Sequence, residues 1–218
     1  MSVGAIVPAA GAGTRLGAGR PKAMVQVAGE PLLLHCVRRL RACPSVGPIA
    51  VAAPADAVDE IRVVLAGCDV IVVAGGADRQ ASVAAGLTAL PAADWVLVHD
   101  AARAFVPVAV VEAVIEALRG GADAVVPVLP VADTIKRLDG PSLLTLPRDD
   151  LRAAQTPQGF RRSVLESAHA SGAQALSDDA ALVEAQGVSV QTVPGSPEAF
   201  KVTTPFDLLV ADALVARG

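Results

Sequence analysis

The residues best equipped for chemistry lie together near the start of the chain, in Ala5-Ile-Val-Pro-Ala-Ala-Gly11-Ala-Gly13-Thr-Arg15-Leu-Gly17-Ala-Gly19-Arg20-Pro21-Lys22. Ala5 to Pro8 is a short apolar run that reads as a buried strand, and it opens into a loop holding four glycines and three cations. Glycines remove Cβ atoms so that backbone N–H groups can approach an anion, and the Arg and Lys heads supply countercharge. This is the composition of a phosphate site. Spacing excludes two common forms of it. The dinucleotide fingerprint G-x-G-x-x-G needs a third glycine where Leu16 stands, and an acid near the end of the second strand, where the chain has Val51-Ala-Ala-Pro54. A P-loop needs Gly-Lys before Ser or Thr, whereas Lys22 lies between Pro21 and Ala23.

What remains is a strand, A-A-G-x-G-x-R, a spacer and P-K. It resembles the signature loop of nucleotidyltransferases, which move a nucleoside monophosphate from a nucleoside triphosphate onto a phosphate or sugar. Two further stretches carry candidate groups. In Gly75-Gly76-Ala-Asp78-Arg79-Gln-Ala-Ser82, the glycines permit a tight turn, and Ser82 is expected to cap the following helix, with a ligand bond as the alternative. In Trp95-Val-Leu-Val-His99-Asp100-Ala-Ala-Arg103, an acid stands at a strand's end, suited to a ribose hydroxyl, a Mg²⁺ or an acceptor hydroxyl; a structural pair with Arg103 is the alternative.

These stretches need a frame that brings them together, and the periodicity supplies one. Pro31 to Arg41 places Leu33, Cys36, Val37 and Leu40 at helical spacing, with Arg38, Arg39 and Arg41 on a solvated face. Strands over Pro48–Ala53, Asp69–Val73, Trp95–His99 and Ala124–Leu129 alternate with helices over Asp56–Leu65, Ser82–Leu90 and Pro107–Arg119. Alternating elements with near-continuously apolar strands predict a single Rossmann-like α/β domain over 1–218, mainly parallel, with helices on both faces. Parallel strands put their carboxyl ends on one rim, so the loops that follow strands, 9–22, 74–82 and 100–106, share that rim.

From Val131 the alternation stops. Residues 131–157 read as two extended arms about Asp139-Gly140-Pro141, a protruding hairpin with too little core to stand alone and therefore expected to lie on a neighbouring subunit. The chain then resumes with a helix near Arg162–Ala170, a second helix opened by Ser177 as N-cap, and a strand over Val188–Val193. Thr204, Pro205 and Asp207 form the start of a final helix, which leaves Lys201 just before them without a structural role.

Composition narrows the classes. The 18 Lys+Arg against 22 Asp+Glu give a net charge of −4 with no basic stripe, which argues against nucleic acid as a partner. No apolar run approaches the ~20 residues of a membrane span, and no signal peptide is apparent, so a soluble cytoplasmic protein is expected. Cys36, Cys43 and Cys68 are scattered and read as reduced thiols, and His35, His99 and His169 share no ligand spacing. Lysine occurs only at 22, 136 and 201, two of them in stretches singled out independently.

Taken together, Pro8-Ala-Ala-Gly-Ala-Gly-Thr-Arg15, Pro21-Lys22, Gly75-Gly76 to Ser82-Val83, Val98-His-Asp-Ala-Ala-Arg103, Asp133-Thr-Ile-Lys136, Gln155-Thr-Pro-Gln158, Ser177-Asp-Asp-Ala180 and Lys201-Val-Thr203 resemble the 2-C-methyl-D-erythritol 4-phosphate cytidylyltransferases of the non-mevalonate isoprenoid pathway. Cytidylyltransferases acting on ribitol 5-phosphate are the alternative, and a non-catalytic nucleotide-binding regulator is the alternative of another class. The resemblance implies that CTP lies across Ala9, Ala10, Gly11, Ala12, Gly13, Arg15 and Lys22, with the base near Gly76 and Ser82 and the ribose near Asp100 and Ala101. It implies that the polyol phosphate is held by Asp100, Arg103, Ser177 and Lys201, with Thr134, Arg148 and Thr156 around the arm. It also implies a homodimer with interlocking arms, in which Arg148 reaches the partner's site, and a Mg²⁺ bound mainly through the CTP phosphates. Departures from the family pattern occur at Ala23-Met24, Ala104 and around Asp149–Arg152, which loosens the register of Arg148.

In that reading the acceptor phosphate attacks the α-phosphorus of CTP in line. A phosphate monoester, with a second pKa of about 6, is already ionised and needs no general base. Catalysis then rests on position and charge, with Arg15 and Lys22 on the α-phosphate and leaving group, and Lys201 and Arg148 on the attacking phosphate.

Overall fold

A computed structural model describes residues 2–11, 21–172 and 177–217. The first strand, β1 (Val3–Pro8), is apolar throughout and buried as far as Val7. It is followed by a small hairpin of β2 (Gln26–Val27) and β3 (Glu30–Pro31), and by α1 (Leu32–Arg41). Then come β4 (Ile49–Ala53), α2 (Val58–Val64), β5 (Ile71–Ala74), α3 (Arg79–Ala89), β6 (Trp95–Val98), α4 (Val108–Arg119) and β7 (Ala124–Pro130). The later part holds β8 (Lys136–Asp139), β9 (Ser142–Thr145), β10 (Arg152–Ala154), β11 (Gln158–Arg161), α5 (Arg162–Ala170), α6 (Asp179–Glu184), β12 (Val190–Pro194) and α7 (Pro205–Val215). Expected and observed elements agree to within a few residues at most ends.

The main sheet runs β5-β4-β1-β6-β11-β7, with β12 on the far side of β7 and β10 continuing the β11 side of the same strand. β1 is parallel to β4 and β6, β4 to β5, and β7 to β12. This is the expected mainly parallel sheet, with one difference. β11 is inserted antiparallel between β6 and β7, a strand that periodicity did not reveal because its pairing partners are far away in sequence. Ala154 pairs with Val128 and Gly159 with Val125, so β10 and β11 carry two more residues than the β7 segment they face. The bulge that absorbs them holds Gln155, Thr156 and Pro157, and it turns Thr156 toward the end of β6.

Side chains alternate across the sheet with the two-residue period of extended chain. Ala5, Val7, Leu97 and Val125 face a core with α1, α4 and α7, while Ile6, Val96, Val98 and Val126 face one with α3, α5 and α6. Helices therefore cover both faces. α1 buries Leu32, Leu33, Cys36, Val37 and Leu40, each large aliphatic side chain stabilising by roughly 1.5–3 kcal/mol. Its cationic face is only partly solvated: Arg38 pairs with Glu30, but Arg41 donates to the carbonyls of Gly47, at 2.7 Å, and Cys68, at 3.1 Å. Gly86 lets α3 lie against β1, since a Cβ there would stand 2.5 Å from Ile6 Cγ2.

Residues 136–145 form an isolated two-stranded hairpin whose residues are all exposed. Gly140 at φ +58 precedes Pro141 at its tip, the order a type II′ turn requires. Among the described residues no helix is long and apolar enough to cross a membrane. Cys36 and Cys43 are buried free thiols, and Cys68 is partly buried.

Candidate active site

The carboxyl ends of β1, β5 and β6 open onto one cavity of about 410 Å³. Ala9, Ala10, Gly11 and Lys22 reach it from the loop after β1, Gly76 and Ser82 from the start of α3, Asp100 and Ala101 from the end of β6, and Lys201 from the approach to α7. Nine candidate residues from four separated stretches thus meet on one rim, as the crossover geometry requires. Ala12, Gly13 and Arg15 lie outside the described residues. Lys22 opens a single 3₁₀ turn, with its backbone N–H donating to Gly11 O at 3.2 Å, which closes the base of the loop.

Ser82 does not cap α3. The helix begins three residues earlier, at Arg79, because Asp78 is extended and its carboxylate accepts from the Ala81 N–H at 2.7 Å. Ser82 therefore lies in the first turns of the helix, where its hydroxyl donates to Asp78 O at 2.8 Å and accepts from the Gly76 N–H at 3.2 Å. The proton is committed, so the oxygen offers the cavity only a lone pair. Gly76 is required by contact, since a Cβ there would stand 2.3 Å from Ala81 Cβ.

Asp100 is not paired with Arg103. Its Oδ1 accepts from Arg79 Nε at 3.2 Å and its Oδ2 from Lys201 Nζ at 2.6 Å. Burial alone would raise its pKa, but Arg79 and Lys201 outweigh that and hold the carboxyl well below the usual carboxylate range. Arg79 is a site residue that sequence reasoning missed. It lines the cavity and also donates to Asp179 Oδ2 at 2.5 Å.

The backbone of Asp100 is fixed from below. His99 is fully buried, and its Nε2 lies 3.1 Å from Arg103 O, an acceptor, so that nitrogen carries the proton. Nδ1 is then the acceptor for the Thr156 hydroxyl at 3.0 Å, and Thr156 Oγ1 in turn accepts the Asp100 N–H at 3.0 Å. Burial pushes the imidazole down to about 4, so it is neutral near pH 7. Thr156, expected at the polyol phosphate, is buried beneath the site with its hydroxyl engaged on both sides.

Arg103 likewise stays outside the cavity lining. Its guanidinium donates to Ala199 O at 2.8 Å and Ala154 O at 3.1 Å, tying the segment before Lys201 to β10. Gln155 reinforces that tie, donating to Ser196 O at 2.9 Å and accepting from Ser196 N at 3.0 Å. Ser177 is exposed and does not cap α6; Asp178 does, accepting from Ala181 N at 3.0 Å. Thr134 and Arg148 are exposed on the limbs of the arm and do not line the cavity, and Arg148 donates to Ala132 O. Lys201 just precedes α7, whose start is the expected capping box of Thr204 and Asp207 with Pro205 at the first position.

Comparisons with known proteins identify the family. The family model for 2-C-methyl-D-erythritol 4-phosphate cytidylyltransferase (IspD) matches residues 3–217. The chain is 53% identical over 224 residues to the 2-C-methyl-D-erythritol 4-phosphate cytidylyltransferase of Saccharopolyspora erythraea, covering 99% of this chain and 100% of that protein. It is also 53% identical over 218 residues to the protein of that name from Frankia casuarinae, covering 99% of this chain and 82% of the other. Its fold is similar to the crystal structure of 2-C-methyl-D-erythritol 4-phosphate cytidylyltransferase from Thermus thermophilus, with a TM-score of 0.84 at 41% identity over 99% of this chain and 100% of that one. The chain belongs to the 2-C-methyl-D-erythritol 4-phosphate cytidylyltransferase family.

Proposed function

We infer that this protein transfers CMP from CTP to 2-C-methyl-D-erythritol 4-phosphate, giving 4-diphosphocytidyl-2-C-methyl-D-erythritol and pyrophosphate in isoprenoid precursor biosynthesis. The observation that carries the reading is the cavity in which Ala9, Ala10, Gly11 and Lys22 face Asp100 and Lys201. A triphosphate along the loop and a second phosphate beside Lys201 put an ionised oxygen on one side of the α-phosphorus and pyrophosphate on the other. The new bond joins the acceptor phosphate oxygen to the α-phosphorus as the bond to the β-phosphate oxygen breaks, with no proton transfer required. Lys22, and Arg15 from the same loop, neutralise charge on the α-phosphate and leaving group.

Ser82 supplies a rationale for cytosine. An oxygen with its proton committed to Asp78 accepts from the 4-amino group of cytosine and opposes the 4-carbonyl of uracil. Asp100 suits a ribose or acceptor hydroxyl, and Ala101 lies beside it on the cavity wall. Mg²⁺ would be held chiefly by the triphosphate and would neutralise its charge. Asp100 fits as a minor ligand only, because two protein cations already claim its oxygens.

The exposed hairpin supports a homodimer. Leu138 and Leu143 are 77% and 63% exposed on a two-stranded ribbon with no core of its own. A second copy of the chain is the partner that would cover it, bringing Thr134 and Arg148 to the neighbouring site. Buried free thiols suit a reducing, cytoplasmic setting.

The test is pyrophosphate release from CTP with Mg²⁺, offering methylerythritol phosphate and ribitol 5-phosphate in parallel and UTP, ATP and GTP as controls. Release with CTP and methylerythritol phosphate alone is expected. Release only with ribitol phosphate would overturn the acceptor while retaining the chemistry, and CTP binding without release on either would favour a regulator.

A further inference from the structure

Asp179, the first residue of α6, has no exposed surface. A carboxylate that deep must be paired, and the ends of two other helices supply its partners. Arg79 Nη1, at the start of α3, donates to Oδ2 at 2.5 Å, and His169 Nε2, near the end of α5, lies 2.9 Å from Oδ1. The guanidinium continues to Asp100 through Nε at 3.2 Å, and the other oxygen of Asp100 takes Lys201 at 2.6 Å. The result is a row of alternating charge, Asp179–Arg79–Asp100–Lys201, running from beneath α6 into the cavity. Arg79 Nη2 is buried without a hydrogen-bond partner, so the side chain keeps this pose without satisfying all its donors.

An arginine beside a carboxylate prefers to engage both oxygens in parallel. Here Nη1 is held by Asp179, Nε reaches Oδ1 of Asp100 alone, and Nη2, the donor that would complete a parallel pair with Nε, is left without a partner. We propose that Asp179 is a positioning residue that acts through Arg79: by holding Nη1 it keeps the Nε–Nη2 edge of the guanidinium from closing on both oxygens of Asp100, and so reserves Oδ2 for Lys201. The consequence for turnover rests on the cytidylyltransferase reading, in which Lys201 steadies the acceptor phosphate. The arrangement itself does not.

Lysine occurs only at 22, 136 and 201, which permits a direct readout. Full-length wild type, Asp179→Asn and the double variant Arg79→Gln/Asp179→Asn are labelled with cyanate, and carbamoylation of Lys201 is measured by peptide mass spectrometry relative to Lys136 on the exposed hairpin. In Asp179→Asn the guanidinium displaces Lys201, whose amine, no longer held in a hydrogen bond to Asp100, labels about threefold faster or more. In the double variant no guanidinium remains to displace it, and the ratio returns to the wild-type value. An unchanged ratio in Asp179→Asn, or a raised ratio that persists in the double variant, overturns the proposal. The double variant removes both buried charges, so it can be measured even if the single variant does not fold, and a raised ratio in it alone overturns the proposal.

Kinetics then join the two readings. Asp179→Asn should raise the acceptor KM about fivefold or more with the CTP KM within about twofold, and Asp179→Glu, which keeps the charge, should recover most of it. Equal losses toward both substrates would mean general damage and refute the positioning role. Wild-type protein inactive with CTP and methylerythritol phosphate would refute the cytidylyltransferase reading, while labelling still decides the arrangement.

Discussion

Acidification should weaken this protein through one buried imidazole, and the size of the effect follows from its environment. His99 is neutral in the folded chain, with a pKa lowered by burial from 6.5 to about 4. Below pH 6.5 the unfolded chain takes up a proton on this residue and the native chain does not, so native stability falls as pH falls, until about pH 4. For these two values the loss attributable to His99 is about 2 kcal/mol at pH 5 and about 3 kcal/mol at pH 4. Carboxylates contribute to the same pH range, so the measurement is a difference. Urea unfolding at about pH 7.5 and about pH 5 is compared for wild type and His99→Gln at one protomer concentration, since association would shift apparent stability. Whatever the variant costs at neutral pH, wild type should lose about 2 kcal/mol more than the variant on acidification. Equal losses would refute the reasoning, because they would mean that the imidazole titrates alike in both states. The same step reaches the site: a proton on Nδ1 deprives the Thr156 hydroxyl of its acceptor and disturbs the oxygen that receives the Asp100 N–H.

Four further outcomes follow from the same geometry. Lys22→Ala and Arg15→Ala should each lower kcat by about 10² or more with melting temperatures little changed, as for loss of a preorganised charge-stabilising group; near-normal turnover in both would remove the phosphate-site assignment. Ser82→Ala should reduce the preference for CTP over UTP by about tenfold, roughly 1.4 kcal/mol, in competition assays, and an unchanged ratio would assign base reading to other groups. Gly76→Ala, whose Cβ would meet Ala81 Cβ at 2.3 Å, should cost about 1–3 kcal/mol in thermal or urea unfolding, while Gly11→Ala, with nothing within 4 Å, should leave stability unchanged. If the proposed homodimer forms with each arm serving its neighbour, equal mixing of Lys22→Ala and Arg148→Ala subunits by co-expression should restore about a quarter of wild-type activity, since half of such dimers would be mixed and each would have one complete site; no recovery would return Arg148 to its own subunit or to no role.

Local chemistry made much of this legible. The loop after β1 could be read because glycines and cations concentrated within a few residues have few other uses, and the start of α7 because Thr204, Pro205 and Asp207 fix a helix end among themselves. Where a serine stood near an aspartate, the helix start was misread. Ser82 and Ser177 were expected as caps, and in each case an extended aspartate, Asp78 or Asp178, accepts the N–H bond instead. The serine and the aspartate differ little in capping strength, so backbone conformation chose between them.

Which loops share a rim could be read from the alternation of elements, but side-chain pairings between distant residues could not. Arg79 was given no role in the 75–82 stretch, and its meaning comes from carboxylates 21 and 100 residues away. Asp100 and Arg103 stand close enough in sequence to suggest a pair, but the tight turn after β6 sends Arg103 toward β10 and leaves Asp100 to Arg79 and Lys201. Thr156 carries a hydroxyl in a stretch that resembles substrate-binding chain, and only the bulge between β10 and β11 shows that it points down onto His99.

The pKa shifts at this site argue for its chemistry in their own way. A general acid or base would be tuned toward neutrality, whereas Asp100 is held further into its ionised range and His99 further into its neutral one. Neither group is poised to exchange a proton near pH 7. That suits a reaction whose nucleophile is already an anion and whose leaving group departs as one. What such a reaction needs is cations at fixed places, and the scaffold meets the need by bracing the groups that hold them. His99 and Thr156 secure the backbone of Asp100, Asp100 engages Lys201 and Arg79, and Arg103 with Gln155 fastens the segment that brings Lys201 to the cavity. The chain as a whole carries a net charge of −4, so the positive field that polyphosphate requires is local to the cavity and depends on this bracing. Substitutions in the bracing groups should therefore act on acceptor use before they act on the fold.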